Sequence, residues 1–122
     1  MNTKSCKAKG RKLAQAVRDM IQVFLFNKPG FSADLVDYTR SGVGGADVPL
    51  FGMAREWFPI QIECKNQERA DIWGWFKQCK THGNKSPVVF FKKNGEEPHV
   101  AMPASLFFDL LDLHQELNAS LP

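Results

Sequence analysis

Residues 57–65 read Trp-Phe-Pro-Ile-Gln-Ile-Glu-Cys-Lys. In an extended chain Ile60, Ile62 and Cys64 fall on one face and Gln61, Glu63 and Lys65 on the other. That is the two-residue period of a strand with one buried side. A strand with so apolar a face belongs near the middle of a sheet, and the flanking segments supply its neighbours.

Upstream, residues 46–51 (ADVPLF) are predicted as a short strand, with Pro49 favouring an edge or a bulge. Residues 33–39 (ADLVDYT) can form another, and Ser41-Gly42-Val43-Gly44-Gly45 between them reads as a flexible loop. Before these, Leu13, Val17, Met20, Ile21, Phe24 and Leu25 recur at helical spacing. They predict a helix from about Cys6 to Phe26, ended by Asn27-Lys28-Pro29-Gly30. Downstream, Asp71 is placed to cap a helix over 72–81, whose buried stripe is Ile72, Trp75, Phe76 and Cys79. Lys77, Gln78 and Lys80 lie off that stripe. Residues 87–93 (PVVFFKK) predict a strand, Asn94-Gly95 a turn, and 98–102 (PHVAM) the returning strand. Pro103 opens a last helix, 103–117, with the apolar line Leu106, Leu110, Leu113 and Leu117. The order αβββαββα predicts an α/β fold, a mixed sheet flanked by helices.

The chain has 122 residues, enough for one domain, and 43% hydrophobic with 24% charged residues exclude global disorder. No apolar stretch approaches the ~20 residues of a membrane span, and the basic, polar N-terminal stretch does not read as a secretory signal. Three cysteines, Cys6, Cys64 and Cys79, with no CxxC spacing, argue against a disulfide framework or a thiolate zinc site. A reducing cytoplasm is the expected setting. The formal net charge of +3 conceals a gradient. Residues 1–28 hold seven Lys or Arg and one acid, whereas 94–122 hold five acids and no Lys or Arg. A basic end of this kind suits a polyanionic partner.

Chemistry concentrates at Asp47 and Glu63-Cys64-Lys65. Glu63 and Lys65 share a strand face at about 6–7 Å spacing, and an adjacent strand beginning at Asp47 sets that carboxylate beside Glu63. Two close carboxylates repel unless a cation sits between them, and Mg²⁺ takes such oxygens together with waters. The Cys64 backbone carbonyl is a further candidate ligand. Lys65 is placed to orient the attacking water or to stabilise charge on a phosphate. The plainer reading makes Asp47 a turn cap and Glu63 and Lys65 an exposed pair. It is countered by the apolar neighbours of Glu63 and the glycine-rich lead-in to Asp47. The chemistry indicated is metal-assisted phosphodiester hydrolysis.

On the residues Gly44-Gly45-Ala46-Asp47 and Ile62-Glu63-Cys64-Lys65 the chain resembles the PD-(D/E)XK nuclease superfamily. Within it, the likeness is to small Holliday-junction-resolvase-like and phage-type endonucleases. Lys9-Gly10-Arg11-Lys12 on the first helix and the Ser41–Gly45 loop fit the same pattern. The resemblance implies a restriction-endonuclease-like αβββαβ core with an extra strand and a C-terminal helix. It implies metal-binding Asp47 and Glu63, a catalytic Lys65, and Gln78 pointing toward the site. Lys9, Arg11, Lys12, Arg40, Ser41 and Lys77 would contact DNA. It further implies Mg²⁺ or Mn²⁺ as cofactor, branched or junction DNA as substrate, a homodimer, and a cytoplasmic setting in a bacterial cell or a phage-encoded origin. The alternatives within that resemblance are a VRR-NUC-like or other repair nuclease acting on flaps or nicks, and an inactive DNA-binding module. The chain departs from resolvases at Leu13-Ala14-Gln15-Ala16, where they carry a metal-assisting Glu; either Gln15 substitutes through a water or metal binding rests on Asp47 and Glu63 alone.

Four residues have structural readings. Trp75 and Cys64 are expected in the core, Cys64 as a small apolar group rather than a nucleophile. Trp73 is expected to be exposed or at a subunit interface. His82 reads as a polar residue at a helix end.

Overall fold

A computed structural model describes residues 3–39 and 45–119, with side chains from Lys7 onward. Arg40, Ser41 and the rest of the glycine-rich loop through Gly44 lie outside the described residues. The fold is α/β. Its elements are α1 (Thr3–Leu25), a 3-10 turn (Ala33–Leu35), α2 (Gly52–Trp57), β1 (Ile60–Asn66), α3 (Ile72–Lys80), β2 (Ser86–Lys92), β3 (His99–Ala101) and α4 (Ala104–Ala119). The three strands form one sheet in the order β1-β2-β3, so β1, expected near the middle, is an edge strand; its apolar face is covered by α1 and its outer edge by the 46–48 segment. β1 and β2 run parallel, with Glu63 opposite Val89 and Lys65 opposite Phe91. Parallel neighbours require a crossover, and α3 provides it. β3 returns antiparallel to β2 after Asn94-Gly95, where Gly95 takes a φ of 82° that a side chain would resist.

β1 separates two environments. Its Ile62 and Cys64 face α1, and with Leu13, Ala14, Val17, Ile21 and Leu25 of that helix they form the main core. Val36, Val48, Leu50 and Ala54 close it from the side. The other face of the sheet carries α3, whose Trp75 and Cys79 are buried. The Trp75 ring meets Phe91 at 5.8 Å between centroids. Asp71 caps α3 as expected, its carboxylate accepting from the Gly74 N–H.

Several expectations are corrected. The segments 33–39 and 46–51 do not form strands; their pairing is a single bridge, Val36 to Leu50. Three further backbone bonds run alongside it: Phe51 N–H to Leu35 O, Asp37 N–H to Pro49 O, and Thr39 N–H to Asp47 O. Pro49 has no N–H to return, and Ala33–Leu35 is wound into the 3-10 turn, so the ladder stays incomplete. Strand β1 begins at Ile60 rather than Trp57, because Trp57 ends a short helix, α2, that the alternation did not predict. Met20 and Phe24, expected on the buried face of α1, are 51% and 56% exposed, while Ala14 is buried. α1 rests on the sheet along Leu13, Val17 and Ile21, and its flank stays in solvent. Among the described residues no helix is long and apolar enough to cross a membrane.

Candidate functional site

Asp47 reaches Glu63 through backbone pairing rather than through a regular hairpin. Its N–H donates to the Ile62 carbonyl (3.0 Å) and its carbonyl accepts from Thr39 (2.8 Å). Its carboxylate Oδ2 then accepts the Cys64 N–H at 2.7 Å. Asp47 is thereby pinned along the free edge of β1, one residue on either side of Glu63. The buried Val48 and Leu50 that follow anchor the segment in the core.

Glu63 is the buried charge-bearing residue of the molecule, 2% exposed among the described residues. Its pKa is pushed up to about 8. Burial is the main cause, the Asp47 charge and a hydrogen bond shared with Asp47 add to it, and Lys65 works in the opposite direction. Glu63 Oε2 is buried with no hydrogen-bond partner. A carboxylate oxygen left bare inside a protein costs free energy that a proton or a cation would recover.

Lys65 lies on the same strand face, as the alternation predicts. Its Nζ is 3.9 Å from Glu63 Oε1 and donates to Gln78 Oε1 of α3 at 2.6 Å. Gln78 therefore reaches the site by holding the lysine. A residue that sequence reasoning passed over also arrives here: His82 Nε2 stands 3.7 Å from Glu63 Oε2. The signal was present, because His82 follows Trp75 and Cys79 at intervals of four and three and continues the buried stripe of α3 past its end. Gly83 permits that path. Its φ is +154°, and a Cβ there would come within 2.7 Å of the Gln61 side chain.

Cys64 and Cys79 are buried thiols, an environment that disfavours the nucleophilic thiolate. Burial holds both far above the ordinary thiol range, Cys79 at about 11. The Cys79 thiol donates to the Gln61 carbonyl at 3.3 Å. Cys64 turns its side chain to the α1 core, as expected, and lends the site its backbone.

The remaining predicted residues lie apart. Lys9 is half-buried, and Arg11 and Lys12 are exposed, on the helix that packs against the opposite face of β1. Among the described residues none of the three forms an ion pair. Gln15 is half-buried on the same helix, with no hydrogen bond to either carboxylate among the described residues. Lys77 lines an apolar groove beside Trp73 and Phe76. Among the described residues no three His, Cys, Asp or Glu side chains cluster as a metal cage. Oxygen donors on hand are thus two carboxylates, with backbone and water to complete any shell. No family model, curated protein or solved structure matches the chain.

Proposed function

We propose that the chain is a divalent-metal-dependent DNA endonuclease of the PD-(D/E)XK type, acting on branched or junction DNA. The observation that carries this reading is the Asp47–Glu63 carboxylate pair, half of it buried, with Lys65 beside it. A tight structural ion pair would satisfy its oxygens, whereas Glu63 Oε2 accepts no hydrogen bond, has His82 Nε2 only at 3.7 Å, and sits beside a second carboxylate.

The residues fit a hard cation. Mg²⁺ is commonly bound by one or two carboxylates and keeps several waters, so Asp47, Glu63 and the Cys64 carbonyl would hold it, with Mn²⁺ able to substitute. When bound, the ion supplies Lewis-acid polarisation of a phosphate oxygen and a more acidic water. The protein's own work is positional. The Cys64 N–H holds the Asp47 carboxylate in place, and Gln78 holds the Lys65 ammonium beside Glu63, where it would meet charge developing on the phosphoryl oxygens. The exposed bases of α1 would neutralise phosphates and set the position of the duplex without reading its sequence. Along the chain α1, β1, α3 and β2 follow in the order such a core would have, with a single Val36–Leu50 bridge in place of its two earlier strands.

Asp47→Ala or Glu63→Ala should lower Mg²⁺-dependent cleavage by roughly 10³-fold while leaving DNA binding in place. Four-way junction, flap, nicked and linear DNA, run side by side, identify the substrate and separate a resolvase from a flap or nick nuclease. Absence of cleavage of every substrate with both Mg²⁺ and Mn²⁺ would sink the enzyme reading and leave a DNA-binding module.

A further inference from the structure

Helix α4 and the groove at its base present apolar surface that the chain itself does not cover. No residue of α4 is buried, and Phe107, Phe108, Leu110, Leu111 and Leu113 are all exposed. Leu106, Leu110 and Leu113 follow one another at intervals of four and three, the spacing of a seam between two helices. Beside the first turn of α4 lies a groove of about 950 Å³, walled by Trp73 and Phe76 of α3, by Val100 and Met102, and by Phe107. Trp73 is 84% exposed.

Charge selects the occupant. Lys77 and Lys80 stand on the rim of the groove, and neither forms an ion pair among the described residues. α4 carries Asp109, Asp112 and Glu116 and no Lys or Arg. An acidic helix with a leucine seam fits a basic-rimmed apolar groove, and this chain holds both. One helix cannot fill the groove at its own root, but a second copy can do so reciprocally, which is the self-complementarity a twofold dimer requires.

We propose that the chain forms a twofold dimer in which α4 of each copy lies in the α3–α4 groove of the other. Leu110 and Leu113 enter the groove, and the α4 acids face Lys77 and Lys80. The dimer does not depend on the nuclease reading, and its test needs no substrate.

Sedimentation equilibrium of the full chain at tens of micromolar should give twice the 13.8 kDa chain mass. The double variant L110E/L113E should sediment as a monomer with wild-type helix content by circular dichroism, since both residues are already exposed in one chain. W73E, on the opposite wall, should do the same. K77E/K80E and D109K/D112K should each weaken the dimer by about tenfold or more, and their combination should restore it. A wild type at single-chain mass overturns the proposal, including one whose α4 instead captures a different protein. A dimer that persists in W73E, or a charge swap that restores nothing, overturns it equally.

Discussion

Helices α1 and α4 carry comparable apolar lines and meet opposite fates. α1 presses Leu13, Val17, Ile21 and Leu25 onto β1 and buries all four. α4 repeats leucine at nearly the same intervals and buries none. A helical apolar stripe states that a partner is needed; it does not state where the partner comes from. For α1 the partner is the Ile62–Cys64 face of the chain's own sheet. For α4 the sheet's α3 face is already taken, and β3 is only three residues long.

Truncations measure this contrast most directly. Leu25→Ala should destabilise the fold by about 2–5 kcal/mol in urea denaturation, because it opens a cavity in a closed core. Leu113→Ala, measured at concentrations that keep the chain monomeric, should change stability by roughly 0.5 kcal/mol or less. Equal losses would mean that α4 is packed in the monomer after all, and the contrast between the helices would collapse.

The second contrast lies across β1, between the dry α1 face and the charged α3 face. Glu63 holds its proton up to about pH 8 in the fold, against 4.5 for an ordinary glutamic acid. The folded state therefore binds more protons than the unfolded one between these values. The stabilisation is complete below pH 4.5 and is lost as pH rises through 8, with a slope of at most about 1.4 kcal/mol per pH unit. Glu63→Gln should flatten that profile and stabilise the metal-free protein at about pH 8. On the proposed metal reading, saturating Mg²⁺ should flatten the wild-type profile as well, with the ion in place of the proton. If the Glu63→Gln substitution leaves the full slope in place, the titration belongs to another group.

The smallest effect is expected on the outer side of α1. Changing Lys9, Arg11 and Lys12 together to Ala should leave thermal stability nearly unchanged and weaken DNA binding. The slope of log affinity against log salt should fall by up to about three, roughly one for each phosphate no longer neutralised. An unaltered slope in a binding titration removes α1 from the nucleic-acid interface.

Much of this architecture was legible along the chain. α1, α3, β2, β3 and α4 fall within a few residues of their periodic patterns, and Asp71, Trp75 and Cys64 behave as their positions imply. The carboxylate pair was legible too, although by a different route than foreseen. Asp47 does not arrive on a strand; it is drawn to β1 by its own N–H and by the Cys64 N–H. The short segments 33–39 and 46–51 offer few residues, and Pro49 interrupts one of them, so alternation does not hold against local turns. Helix α2 has six residues, about a turn and a half, which leaves little periodicity to detect.

Which residues seek cover and which seek water could be read from the chain alone, because periodicity and side-chain chemistry are local properties. That was enough to establish the main helices, the strand that carries Glu63 though not its place at the sheet edge, the shared face of Glu63 and Lys65, and the opposite turn of Cys64. What covers what could be settled only by the folded chain, because burial is a relation between segments distant in sequence. The rise in the Glu63 pKa, the arrival of His82 and the grip of Gln78 on Lys65 all depend on α3 closing over β1. The same relation, left unmet along α4, is what points to a second copy.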